Sequence, residues 1–180
     1  MWKSIWQRLR EVLGGRKKQL SEEPRDDHDL RLARLRKRGV RIGEGCRIYT
    51  EEFSTEPFLV ELGRHVGVAG GTQFITHDGA IWLARDGERH ENTQHVGRIV
   101  VGDNTFIGQS CILLPGARIG TNCVIGAGSV VRGHVPDNSV FAGNPGRVIG
   151  QASLAISRML QSPDTVESLQ FPEEERRAFL

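Results

Sequence analysis

No stretch of this sequence comes near the roughly 18 consecutive apolar residues that a membrane-crossing helix needs, so no span is expected. The opening MWKSIWQRLREVLGG also lacks the unbroken apolar run of a secretory signal, which predicts a chain that stays in the cytosol. Cysteine is scarce. Cys46, Cys111 and Cys123 form an odd set without CxxC spacing, which argues against a disulfide framework or a zinc knuckle and leaves three small buried thiols. There is no GxSxG elbow and so no apparatus for a covalent serine mechanism. Aromatic and basic residues do not interleave, so nucleic acid is not an expected partner.

What is present begins with an uneven charge. Residues 1–40 carry 12 Lys or Arg against 6 Asp or Glu, a balance of +6, while the whole chain of 180 residues stands at only +2. A basic arm thus precedes a mildly acidic body, and the length suits one domain with extensions. The division expected is a helical arm over residues 1–38, a main domain over 39–150, and a helical tail over 151–180.

The main domain is organised by an internal repeat. From Val101 the chain reads VGDNTF, IGQSCI, LLPGAR, IGTNCV, IGAGSV, VRGHVP. The first position is always aliphatic (Val101, Ile107, Leu113, Ile119, Ile125, Val131). The fifth is always small or β-branched (Thr105, Cys111, Ala117, Cys123, Ser129, Val135). A period of six fits neither the 3.6 of an α-helix nor plain alternation, because Asp103, Gln109, Pro115 and Thr121 stand where alternation would demand apolar residues. It does fit a short strand followed by a corner, with Gly or Asn supplying the unusual backbone angles of the turn. Three such six-residue sides close one triangular coil, and coils stack at a strand spacing of about 4.8 Å. Stacking pairs residues one coil apart, so Cys111 should lie near Ser129 and Cys123 near Thr105, with no bond between the two thiols.

The register returns upstream as LGRHVG, VAGGTQ, FITHDG from Leu62 and as IGEGCR from Ile42. The step from Ile42 to Leu62 is one coil plus two, and the excess is placed in EEFSTEP. Residues 80–98 keep no register and are polar, so they are read as a loop thrown out from the prism. At the N-terminus Trp2, Ile5, Trp6, Leu9, Val12 and Leu13 share one face of a basic amphipathic helix, which either packs on the protein or docks residues 1–13 on an anionic membrane surface. A second helix is expected over residues 28–38. After Arg147 the chain is expected to leave the repeat, and Pro172 with EEERRAFL reads as a terminal helix capping the last coil.

ITHDG, a loop, and then IVVGDNTFIGQSCILLPGARIGTNCVIGAGSVVRGHVPDNSVFAGNPGRVIG together resemble the hexapeptide-repeat acyltransferases typified by maltose and galactoside O-acetyltransferases. The RIYT, F-STEP and FITHDG stretches are more similar to the polysaccharide-modifying members, which acetylate sugars during surface glycan assembly. The resemblance covers about Gly39 to Gly150. It implies a mainly β fold, a left-handed parallel β-helix of about four to five coils, assembled as a homotrimer with active sites between subunits. It also implies acetyl-CoA as donor, a sugar or glycolipid acceptor and no metal.

Residue by residue, the resemblance makes His77 the general base, and an imidazole can take a proton from a hydroxyl near neutral pH. Asp78 is expected to hold that ring or to form the turn with Gly79. Phe106, Gln109 and Ala127 are expected along the pantetheine arm. Arg132, Asn144, Pro145 and Arg147 are expected near the donor's phosphates. Counting from Ile42 puts Tyr49 where sugar acetyltransferases have an acceptor-binding asparagine, and the loop carries Trp82, Arg85, Arg89, His90 and His95 across the acceptor pocket. Three rivals use the same prism: an antibiotic-inactivating O-acetyltransferase, a γ-type carbonic anhydrase with zinc on histidines such as His90 and His95, and a non-enzymatic scaffold.

Overall fold

Aliphatic side chains at every sixth position are satisfied by a chain that makes a very short strand, turns a corner and makes another. The computed structural model, which describes residues 25–85 and 90–166, follows that path. Helix α1 (Arg25–Lys37) leads into β1 (Arg41–Ile42), β2 (Arg47–Ile48), β3 (Val60–Leu62), β4 (Gly67–Val68) and β5 (Gln73–Phe74). After an insertion come β6 (Ile99–Val101), β7 (Phe106–Ile107), β8 (Ile112–Leu113), β9 (Arg118–Ile119), β10 (Val124–Ile125), β11 (Val130–Val131) and β12 (His134–Val135). Strands β13 (Ser139–Gly143) and β14 (Gly146–Gln151) and helix α2 (Ala152–Leu160) finish the described chain.

Successive strands fall in turn on three sheets. Face A holds β1-β3-β6-β9-β12, face B holds β2-β4-β7-β10-β13-β14, and face C holds β5-β8-β11. Every pairing is parallel except β13 with β14, so the fold is a three-sided parallel β-helix. Val100 pairs with Arg118, Phe106 with Val124 and Ile112 with Val130, each pair separated by one full coil as the repeat requires.

The inward column of Ile48, Leu62, Val68, Phe74, Val101, Ile107, Leu113, Ile119, Ile125 and Val131 is buried throughout. Each such side chain contributes about 1.5–3 kcal/mol on burial, so this column outweighs any single surface contact. The fifth-position residues Thr105, Cys111, Ala117, Cys123 and Ser129 are buried beneath the corners. Their polar atoms are satisfied locally: the Thr105 hydroxyl donates to the Gly120 carbonyl at 3.0 Å and accepts from the Cys123 N–H at 3.2 Å. The three cysteines are unbridged, and burial pushes the Cys111 and Cys123 thiols up. At the corner between faces A and B, Asn104, Asn122 and Asn138 all take left-handed φ of 53 to 55°, and Asn104 Nδ2 donates to Asn122 Oδ1 at 2.7 Å.

One register assignment is corrected. Val135 is not a small fifth-position residue but the inward aliphatic of β12, paired with Ile119. Gly133, at φ 73°, turns the corner early and makes this coil shorter than its neighbours.

Both ends of the prism are covered. Leu32 and Leu35 of α1 are buried against the first coil. Arg38 donates to the carbonyls of Glu51 at 3.1 Å and Phe53 at 2.7 Å, Arg31 donates to that of Ile48 at 3.3 Å, and His28 Nε2 accepts from the Ile48 N–H at 3.2 Å. Side chains thereby satisfy an edge that would otherwise template further pairing. At the other end the chain leaves the repeat close to where the sequence implied: from Gly146 β14 folds back antiparallel on β13, and α2 follows directly with Ala152 buried. The helices expected over residues 1–13 and after Pro172, and Arg89 of the loop, lie outside the described residues. No described helix is long and apolar enough to cross a membrane.

Candidate active site

The repeat is interrupted in two consecutive coils, and both interruptions emerge at the corner between faces C and A. In the first coil the extra residues fall between Ile48 and Leu62, as the spacing implied. Phe53 bridges Phe74, their rings stacked at 4.5 Å, and Ser54, Thr55 and Glu56 then swing around the corner before Val60 resumes face A. In the next coil the step between β5 and β8 more than doubles, with Phe74 paired to Leu113, because the chain leaves after His77 and returns at Gly97. The neck of this insertion is closed by an antiparallel bridge between His77 and Val96. The Asp78 N–H donates to the His95 carbonyl at 2.9 Å and the Gly97 N–H to the Thr76 carbonyl at 2.8 Å.

These interruptions set His77 directly against Glu56. Nδ1 of the imidazole lies 3.1 Å from Glu56 Oε2, with Ser54 Oγ at 3.1 Å and Thr55 Oγ1 at 3.3 Å. The hydroxyls of Thr55 and Thr76 donate to the two Glu56 oxygens at 2.7 and 2.8 Å. Those two hydrogen bonds first, and the imidazole after them, hold the Glu56 carboxyl down at about 2 against the opposing effect of burial, so it is an anion at neutral pH. An ionised carboxylate can only accept, which assigns the proton to Nδ1 and leaves Nε2 as the basic nitrogen. Glu56 is 20% exposed and His77 43% exposed, so the carboxylate is tucked beneath a ring that meets solvent.

His77 borders two cavities. One of about 460 Å³ is lined by Thr55, Glu56, Trp82, Arg85, Gln94 and His95. The other, about 280 Å³, is lined by Ile75, Leu114, Pro115, His95 and Arg132. Trp82 stands out from the 3₁₀ turn Gly79–Ala84, and Arg85 Nε donates to the Thr93 carbonyl at 3.0 Å, which holds the stem of the insertion. Asp78 does not reach the imidazole nitrogens: its carboxylate caps that turn by accepting from the Ala80 N–H at 2.9 Å.

The remaining expected site residues lie elsewhere on the chain. Phe106 and Tyr49 are on the outside of face B, opposite the His77 corner, and line a cavity of about 1180 Å³ with Val124 and Ile156. Counting from Ile42 had placed Tyr49 with the acceptor, but the extra residues come after it, and the first-coil residues that reach His77 are Ser54, Thr55 and Glu56. Gln109 and Ala127 are exposed at the corner between faces B and C, where the Gln109 carbonyl accepts from the Gly128 N–H at 2.8 Å. Asn144 and Pro145 form the β13–β14 turn, joined by a cis peptide bond. Arg147 lies on β14, its Nη1 donating to the Gly146 carbonyl at 2.8 Å. Among the described residues no group of three or more His, Cys, Asp or Glu side chains is placed to hold a metal ion.

A column of stacked six-residue corners defines a class, and comparison with known proteins agrees on it. Residues 98–133 match the bacterial transferase hexapeptide (six repeats) family. Protein CapG of Staphylococcus aureus is 36% identical over 143 residues, 78% of this chain and 82% of that protein. The putative lipopolysaccharide biosynthesis O-acetyl transferase WbbJ of Escherichia coli (strain K12) is 45% identical over 127 residues, 62% of this chain and 65% of that protein. Among solved structures, a maltose O-acetyltransferase from Clostridium difficile 630 matches with a TM-score of 0.54 at 24% identity, covering 82% of this chain and 84% of that one, a likeness of fold. A galactoside acetyltransferase in complex with coenzyme A matches with a TM-score of 0.51 at 25% identity over 73% of this chain and 74% of that one. The chain belongs to the hexapeptide-repeat family, and it is an acetyltransferase.

Proposed function

We propose that the protein moves an acetyl group from acetyl-CoA directly to a hydroxyl of a sugar or glycolipid acceptor in surface polysaccharide biosynthesis, with His77 as general base. The observation that carries this reading is the Glu56–His77 pair. The anionic carboxylate fixes the tautomer, so Nε2 is free to take the acceptor proton and later to return it to the departing thiol. The acceptor occupies the cavity bounded by Trp82 and Arg85, whose aromatic face and guanidinium suit a hydroxylated ring. The similarity to WbbJ, named for lipopolysaccharide biosynthesis, supports a glycan acceptor.

The active molecule in this proposal is a homotrimer of left-handed prisms of four to five coils. His77 and the groove beside Phe106 lie on opposite sides of one prism, so the corner of one copy must meet face B of the next. Such a heterologous contact closes into a ring when the rotation permits. Face B suits a thioester arm: Gly67 has no side chain, and the Phe106 ring lies over it. The exposed Gln109 and Ala127 backbone continue the same strip, with Arg147 and the Asn144-Pro145 turn at its end for the phosphates.

The test is release of coenzyme A from acetyl-CoA in the presence of nucleotide- and lipid-linked sugars, compared with His77→Ala. A loss of about 10²–10⁴-fold with the native mass unchanged is expected. Turnover within a few-fold of the parent protein would remove His77 from the reaction.

A further inference from the structure

Ile75, Leu114 and Arg132 are the residues that immediately follow β5, β8 and β11. The register stacks them one above another, since Phe74 pairs with Leu113 and Leu113 with Val131. With His77 they line the 280 Å³ cavity, between Pro115 and His95. Two rungs of this ladder are apolar and the last is a guanidinium. Arg132 takes part in none of the ion pairs among the described residues. The other charged group on the cavity, Asp78, has a carboxylate oxygen already engaged in capping the turn at Ala80.

On the basis of the transferase function above, we infer that Arg132 is a catalytic residue whose guanidinium receives the negative charge that develops on the thioester carbonyl oxygen. The separation decides between this role and a phosphate contact. The backbones at Ile75 and Arg132 are two strand spacings apart, about 9.6 Å, and an arginine reaching back along the corner covers most of that. The pantetheine arm, two amide units and a cysteamine, is about as long as four extended residues, roughly 13 Å. That exceeds the width of a cavity of about 280 Å³. A thioester with its carbonyl at His77 lays its arm between Ile75 and Leu114 of one copy and face B of the next, and carries its phosphates past Arg132.

In the reaction the acceptor oxygen bonds to the carbonyl carbon while its proton passes to His77 Nε2. The carbonyl electron pair moves onto oxygen, where the guanidinium meets it. On collapse the carbon–sulfur bond breaks, and the sulfur takes the proton back from the imidazolium. A charged donor held where the charge appears is worth more than a neutral one, because it needs no reorganisation during the reaction.

The experiment compares Arg132→Ala and Arg132→Lys with the parent protein, using acetyl-CoA and phosphate-free S-acetylpantetheine as donors, and measures coenzyme A binding by calorimetry. The expected result is a fall in kcat of about 10²-fold or more with both donors, as for loss of one oxyanion donor, partial recovery in Arg132→Lys, and unchanged coenzyme A affinity. A loss confined to acetyl-CoA, absent with S-acetylpantetheine and accompanied by weaker coenzyme A binding, would make Arg132 a phosphate contact and overturn the inference. Unchanged kcat with both donors overturns it as well. A parent protein that transfers from neither donor removes the transferase reading and this inference together, whereas an active parent with an unaffected Arg132→Ala removes the inference alone.

Discussion

The upper coils and the lower coils of the prism are built from the same six-residue unit and do different work. Between Val100 and Val131 every pairing keeps the same one-coil step, the inward column is unbroken, and the corners are set by Asn, Ser and Gly in left-handed conformation. Below, the step lengthens, slightly where Ile42 pairs with Leu62 and greatly where Phe74 pairs with Leu113, and the surplus from both coils surfaces at one corner. A regular coil has no spare atoms at its corners: each backbone group pairs with the coil above or below, and each corner residue is chosen for its backbone angle. Chemistry needs side chains with latitude, and the lower coils obtain it by departing from the period where the stacked scaffold around them stays rigid. The histidine and the carboxylate that orients it each belong to one of the two departures.

If the broken corner is the chemical half of the molecule, its largest sensitivity beyond His77 is Glu56. Glu56→Gln keeps the shape but replaces an obligate acceptor with an amide able to donate to Nδ1, which moves the ring proton to Nε2 and blocks the base. A fall in kcat of about 10²-fold is expected, with KM for acetyl-CoA little changed. The same substitution has a signature in stability. The Glu56 carboxyl sits at about 2 in the folded protein, below the roughly 4.3 of an unfolded glutamate. A depressed carboxyl stabilises the fold above its unfolded value and loses that contribution as pH falls through the folded one. The melting temperature of the parent should therefore exceed that of Glu56→Gln at pH 7, and the two should converge from about pH 4 down towards 2. A gap that persists unchanged in acid would mean the carboxylate is not held by its hydroxyl partners.

Trp82 tests the insertion at the same corner. It stands 69% exposed on the 460 Å³ cavity with no packing duty in the core. Trp82→Ala should raise the acceptor KM by about 3- to 10-fold, the range of one aromatic contact, and leave the melting temperature alone. An unchanged acceptor KM would move the acceptor out of that cavity.

How much of this could be read from the sequence follows the same division. The upper coils were legible because a strict period needs no knowledge of the third dimension: Val101 through Val131 announce the column, and Asn104 and Asn122 announce its corners. The corner chemistry was half legible. FITHDG drew attention to His77, and the surplus in the first coil was traced to EEFSTEP, but the sequence left Asp78 divided between holding the imidazole and forming the turn, and did not point to Glu56. Stacking brings together residues a coil apart, so the partner is Glu56, far upstream in the chain, while Asp78 faces the turn it caps. Tyr49 stands on face B, away from His77 of its own prism, because the extra residues of the first coil follow it, and a count from Ile42 cannot tell on which side of Tyr49 they fall. The fold-back at β14 has no periodic signal, because an antiparallel strand after Gly143 obeys the geometry of a hairpin and not that of a coil.

The smallest effect separates the two regions with one kind of substitution. Gly102, on face A, lies where a Cβ would come within 2.7 Å of the Gly120 backbone carbon, and a backbone held by its own coil cannot give way. Gly102→Ala should therefore cost about 1–3 kcal/mol, a fall of several degrees in melting temperature at roughly 2–4 °C per kcal/mol. Gly67, on face B, would place its Cβ 2.9 Å from Phe106 Cδ2, the edge of a ring that is 52% exposed and free to swing outward. Gly67→Ala should thus spare stability but tilt Phe106 out of the groove assigned to the pantetheine arm, raising KM for acetyl-CoA a few-fold and leaving acceptor KM alone. Equal melting temperatures for the two variants would deny that backbone stacking limits face A. An unshifted acetyl-CoA KM in Gly67→Ala would take the donor off face B.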